Sequence, residues 1–268
     1  MIRTLGLALA ALSLSAPLAA QDSPAAAQLR ARTPNQEVVY FVLPDRFENG
    51  DPKNDTGGYK GDRLKTGYDP TAKGFYHGGD LKGLTSRLDY IQGLGATAIW
   101  FAPVFKNKVV QGPKGDESAG YHGYWVTDFT QVDPHFGTND DFKAFVEAAH
   151  ARGMKVYMDI IVNHTADVIQ YREGGDYAYR SKADYPYSRR GGVNGAPNNP
   201  GFNGDADPSQ ENWAKLTDPT WAYTPFVPKE EAHVKVPAWL NDPIYYHNRG
   251  NTNWVGESAV FGDFVGLD

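Results

Sequence analysis

Apolar positions along the chain fall into two kinds of pattern. Three runs are continuous: Val38-Val39-Tyr40-Phe41-Val42-Leu43, Ala96-Thr97-Ala98-Ile99-Trp100-Phe101-Ala102 and Val156-Tyr157-Met158-Asp159-Ile160-Ile161-Val162. Runs of this length, rich in β-branched and aromatic residues, predict strands buried on both faces, as parallel strands are. Pro44 and Pro103 stop the first two. Between the runs the spacing becomes helical. Leu81, Leu84, Leu88, Ile91 and Leu94 predict one helix, ended by Gly95. Phe142, Phe145, Val146 and Ala149 predict a second, started by a capping-box-like Thr138 and Asp141 and ended by Gly153. Residues 48–80 and 104–137 read as loops. The order is therefore β-loop-α-β-loop-α-β over 38–164. Each strand runs into polar or aromatic residues at its carboxyl end, where parallel α/β sheets and barrels carry their sites.

The flanks differ. Arg3 precedes an uncharged stretch, Thr4 to Ala20, rich in Leu and Ala and followed by Gln21-Asp22-Ser23. That reads as a secretory signal over residues 1–20, with a buried N-terminal helix as the competing reading. A secreted or periplasmic bacterial protein fits it. The stretch is shorter than the ~20 residues of a membrane span, and no later segment reaches that length. Residues 21–36 read as a linker. After His164 the alternation stops, and residues 165–268 are expected to form an irregular, β-rich domain. The 29 Gly and 18 Pro require much loop, and 16 Tyr with 6 Trp supply planar surfaces for a ligand. No cysteine is present, so stability outside the cell must come from the core or from bound metal. A net charge of −6 argues against a nucleic-acid partner.

Three constellations could carry chemistry. Asn49, Asp51, Asn54 and Asp55 place oxygen-bearing side chains in a turn-forming stretch after the first strand. Calcium takes six to eight oxygens at ~2.3–2.6 Å from such loops. A polar surface turn is the alternative, and Lys60 excludes an EF-hand. Tyr121-His122-Gly123-Tyr124-Trp125 follows the second strand. Rings for the C–H faces of a sugar and polar groups for its hydroxyls suit a carbohydrate; a packed aromatic loop is the alternative. Asp159, Asn163 and His164 end the third strand, where a carboxylate in an apolar run needs a partner. Period two puts Asp159, Ile161 and Asn163 on one side and Ile160, Val162 and His164 on the other.

Together these segments resemble the alpha-amylase family of glycoside hydrolases. The Asp159-x-x-x-Asn163-His164 strand, AIWFAPVF (98–105), YHGYWVTDF (121–129) and the Asp133-Pro134-His135-Phe136-Gly137-Thr138 stretch follow the family's order. DRFENGDPKND (45–55) with His77-Gly78-Gly79-Asp80 resembles the calcium loop of cyclodextrin glycosyltransferases and maltogenic-type amylases. LNDPIYYHNRGN (240–251) and GDFVGLD (262–268) resemble the family's domain B. The resemblance implies the N-terminal portion of a (β/α)₈ TIM barrel: the first three β/α units over 37–164, then domain B over 165–268. It implies Ca²⁺ held by Asn49, Asp51, Asn54, Asp55, the Gly78 carbonyl and Asp80, and a second calcium ligand in Asn163. Relatives often carry Asp where Asn49 stands. It implies that His122, Tyr124, Trp125 and His164 bind an alpha-glucan.

In the family, retaining hydrolysis uses a nucleophilic Asp from the fourth strand and an acid/base Glu from the fifth. No Gly-Phe-Arg-x-Asp-like stretch occurs here, so no catalytic residue is assigned, and those groups are expected beyond Asp268. The expectation is a secreted hydrolase of starch-like glucans, present as a fragment that is inactive alone. The alternative is a non-catalytic calcium- or carbohydrate-binding module, or the product of a truncated gene. The sequence leaves hydrolysis against glycosyl transfer open, and it is silent on oligomeric state.

Overall fold

The computed structural model describes residues 24–175 and 177–250. The signal-like segment, the 262–268 match and Asp268 lie outside the described residues. The chain starts with α1 (Pro24–Ala31) and β1 (Val39–Val42), followed by α2 (Arg63–Thr66), α3 (Leu81–Ser86) and α4 (Leu88–Gly93). Next come β2 (Ala98–Phe101), β3 (Phe105–Asn107), β4 (Val110–Gln111), β5 (Ser118–Ala119) and β6 (Val126–Val132). α5 (Asn139–Ala151) and β7 (Lys155–Met158) complete the alternating part. Beyond it lie β8 (Gln170–Tyr171), α6 (Gln210–Trp213) and β9 (Pro225–Phe226).

β1, β2 and β7 form a parallel sheet in that order, with Tyr40, Ile99 and Val156 level with one another. This is mixed α/β architecture with an unclosed sheet, as a part of a (β/α)₈ fold requires. The helices cover one face. Leu81, Leu84, Leu88, Ile91, Ile99, Phe101 and Phe145 pack there, each with no exposed surface. Burying one such side chain stabilises by about 1.5–3 kcal/mol. Thr138 and Asp141 form the expected capping box on α5. β8 pairs with β9, and the aromatic cluster of Tyr187, Trp221 and Tyr223 is the core of the irregular region.

Several expectations are corrected. The strands are not buried on both faces: Val39, Phe41 and Trp100 point away from the helices and are exposed. The third strand ends at Met158, because β7 pairs with β2 only over Lys155–Met158. Beyond it Ile160 and Val162 are exposed on one side and Ile161 is buried on the other, as period two places them, but the alternation ends there: Asn163 is exposed and His164 half-buried. The helix expected from Leu81 to Leu94 is broken at Arg87, and Leu94 is exposed. Residues 104–137 are not merely loop, since β3 and β6 pair antiparallel across them. Within the stretch read as a linker, the described residues 24–36 are tied to the rest of the chain. Pro starts α1, its Leu29 is buried, and Arg32 donates to the Gly153 carbonyl at 2.8 Å and to that of Thr97 at 3.2 Å.

Candidate functional site

The aromatic loop lies after β2, and its shape depends on Gly123. Gly123 has φ +83°, and a Cβ there would sit 1.8 Å from the Pro103 carbonyl oxygen. Only glycine allows that approach without displacement. The turn folds His122 back so that the Tyr124 N–H donates to its Nδ1 at 3.0 Å. The imidazole stacks on the Tyr124 ring at 5.7 Å and meets Trp125 edge-on at 4.5 Å. Burial, the Arg46 charge and His164 lower the His122 pKa to about 4. His122 is thus neutral at pH 7, which suits an imidazole that accepts at Nδ1.

The end of β7 completes the cluster. The Tyr124 hydroxyl donates to Asp159 Oδ2 at 3.0 Å, giving that carboxylate the partner its apolar surroundings require. Burial and then Asp159 hold the Tyr124 hydroxyl above its usual pKa. His164 Nε2 bonds the Tyr124 carbonyl at 3.0 Å, and burial lowers its pKa against that bond. His122, Tyr124, Trp125 and His164 are therefore brought together. Sequence reasoning missed Arg46, which stacks over Tyr121 at 4.0 Å beneath this loop. Its signal was its place directly after a strand, beside Asp45.

The oxygen-rich loop after β1 is organised by Asp80, which is fully buried. Asp80 caps α3 by accepting from the Gly83 N–H at 2.7 Å. It also accepts from the N–H groups of Gly50 and Asp51 and from Asn54 Nδ2. Asn49 Nδ2 donates to Asp55 Oδ1 at 2.8 Å, and a Cβ on Gly78 would touch both side chains. Asn49, Asp55 and Gly78 thus converge, and Asn54 Oδ1 is buried with no hydrogen-bond partner. Asp51 is held by Lys82 at 2.6 Å, and both that bond and the Lys53 N–H lower its pKa. Among the described residues, no three His, Cys, Asp or Glu side chains gather as a metal site. At the point of convergence Asn49 presents its Nδ2 and Asp55 a carboxylate oxygen. Asn163 is exposed and lines a cavity after β7, apart from this loop.

Comparison with known proteins agrees in kind. Residues 41–226 match the alpha amylase catalytic domain family. The chain is 52% identical over 236 residues to an alpha-amylase of Streptomyces lividans, covering 87% of this chain and 24% of that one. It is 42% identical over 151 residues to the periplasmic alpha-amylase of Escherichia coli K12, covering 52% and 21%. It is 39% identical over 132 residues to a cyclomaltodextrin glucanotransferase of Klebsiella oxytoca, covering 48% and 19%. The chain spans about a fifth to a quarter of the length of these relatives.

Proposed function

The chain belongs to the alpha-amylase family, and from that premise we propose that it supplies the glucan-binding wall of a retaining glycoside hydrolase acting on starch-like alpha-glucans. The observation that carries this is the cluster of Tyr124, His122 and His164 at the carboxyl ends of β2 and β7. A partly exposed ring whose hydroxyl is fixed by Asp159 presents a rigid face for the apolar side of a glucosyl unit. His122, neutral at pH 7, and His164 offer hydrogen bonds beside that ring, with Trp125 packed behind them. Holding the sugar in one orientation is this wall's contribution to rate.

The retaining reaction also needs two carboxyl groups about 5–5.5 Å apart. Among the described residues, Asp159 is the carboxylate that touches the cluster, and the Tyr124 hydroxyl occupies it. On this reading the chain by itself binds glucan without hydrolysing it.

Calcium bound after β1 would brace that loop through the Asn49, Asn54, Asp55 and Gly78 oxygens, with Asp51 and Asp80 beside them. The unpartnered Asn54 Oδ1 supports this. Asn163 is assigned as a ligand of a second calcium. Export to the periplasm or medium is supported by the signal-like residues 1–20 and by the E. coli relative named periplasmic. No helix among the described residues is long and apolar enough to cross a membrane.

Native gels containing starch test the reading. The 268-residue chain is expected to be retarded, Tyr124→Ala is expected to run freely with an unchanged circular dichroism spectrum, and neither releases reducing sugar. Equal retardation of both, or reducing-sugar release by the pure chain, contradicts it.

A further inference from the structure

Three segments meet at Arg46. A single 3-10 turn, Pro44–Arg46, follows β1, and Asp45 within it is buried. Asp45 accepts from the His77 N–H at 2.9 Å, the Gly78 N–H at 3.3 Å and Arg46 Nε at 2.6 Å. Arg46 Nη2 donates to the carbonyls of Lys73 and Phe75 at 2.8 Å each, and Nη1 lies 3.2 Å from the His77 imidazole. Held in this way, the guanidinium lies over the Tyr121 ring at 4.0 Å. Tyr121 meets the His122 ring edge-on at 5.1 Å, and His122 in turn stacks on Tyr124. We propose that Arg46 is a positioning residue of the glucan wall, holding Tyr121, and through it His122, in the orientation that fixes Tyr124. This rests on the alpha-glucan reading and adds to it a residue that does not itself touch the sugar.

The bonding of Arg46 shows why it positions and does not bind. Its N–H groups are engaged on Asp45, two carbonyls and His77, and Tyr121 covers its plane. Only a guanidinium does all of this at once. An ammonium offers its donors from one point and has no flat face to lay on a ring.

A second effect is electrostatic. His122 faces the Arg46 charge from the end of β1 and His164 from beyond β7. Tyr121, Tyr124 and Trp125 surround it within its own loop, and Asp159 lies behind the Tyr124 hydroxyl. Burial is the largest cause that lowers the His122 pKa to about 4, and Arg46 is the next, because a cation nearby disfavours a second one. The neutral imidazole accepts the Tyr124 N–H at Nδ1, and a protonated one could not. The fork of Arg46 thus sets where the rings lie, and its charge preserves the bond that shapes the loop.

NMR titration of the His122 imidazole, assigned by its loss in His122→Gln, and native gels over a range of starch concentrations test the proposal on the 268-residue chain. Arg46→Met is expected to raise the His122 pKa from about 4 toward 6.5 and to weaken starch binding about tenfold at pH 7, with a larger loss at pH 5. Arg46→Lys keeps the charge and loses the fork, so His122 should titrate near its original pH while starch binding still weakens. Tyr121→Leu leaves every Arg46 hydrogen bond in place and should weaken starch likewise. If Arg46→Met does not fold, these two variants decide the matter. A purely structural Arg46 would lower stability and leave His122 alone. An Arg46→Met chain in which His122 titrates and starch binds as in the unaltered chain therefore overturns the proposal, and so does undiminished starch binding in Tyr121→Leu. Failure of the unaltered chain to bind starch removes the glucan reading instead, and the sugar-free titration of His122 in Arg46→Met then decides whether Arg46 governs it.

Discussion

Replacing Asp80 with alanine tests how the loop after β1 is held. The carboxylate is fully buried and accepts from four donors: Gly83 N–H at 2.7 Å, Asp51 N–H at 2.8 Å, and Gly50 N–H and Asn54 Nδ2 at 3.2 Å each. Loss of the α3 cap costs about 1 kcal/mol. Gly83 N–H is buried and stays unpaired, whereas the other three donors belong to a partly exposed loop that water can reach. Losing those three costs about 0.5–1 kcal/mol each, and relief of the buried charge offsets part of the total. The expected destabilisation is about 2–4 kcal/mol, read as a lower urea midpoint with unchanged slope. Asp80→Asn keeps the shape but turns an NH₂ toward two of the donors, so it should lose nearly as much. Asp62 caps α2 through one bond to Leu64 at 3.1 Å from an exposed position, so Asp62→Ala should cost about 1 kcal/mol or less. A loss below about 1 kcal/mol for Asp80→Ala, or equal losses for Asp80→Ala and Asp62→Ala, would refute Asp80 as the organiser of this loop.

Two further outcomes are expected. Burial, with Arg46 and His164, lowers His122 from 6.5 to about 4, so between those values the unfolded chain binds the extra proton. Stability should therefore fall as pH drops through that window, by up to about 3 kcal/mol from His122, with His164 acting in the same direction. Urea unfolding at pH 7 and 4.5 should show a smaller acid loss in His122→Gln, and equal losses would contradict the assignment. Calcium bound at about a hundred times its Kd adds about 2.7 kcal/mol, or roughly 5–10 °C in Tm at this chain length. EDTA should lower the Tm and calcium restore it, with the response lost in Asn54→Ala; a Tm indifferent to both removes the calcium assignment.

Local pattern determined much of this protein. The three parallel strands fall on the continuous apolar runs, with β7 starting one residue before its run; the capping box at Thr138 was legible from two residues, and Leu81, Leu84, Leu88 and Ile91 form the buried stripe that their spacing predicts. The candidate site residues were also named by type and position. Tertiary structure decided what each of them meets. Tyr124 meets Asp159 and His164 across 35 and 40 positions of chain, and Asp80 reaches Asn54 across 26. The same holds where the pattern misled. Arg32 ties residues 24–36 to carbonyls far along the chain, β3 and β6 pair across what reads as loop, and β7 stops where its partner stops. Hydrophobic period is set by neighbours one to four positions apart, so a sequence displays it directly. Which donor meets which acceptor depends on contacts between distant segments, and those exist only once the sheet has brought its carboxyl ends together.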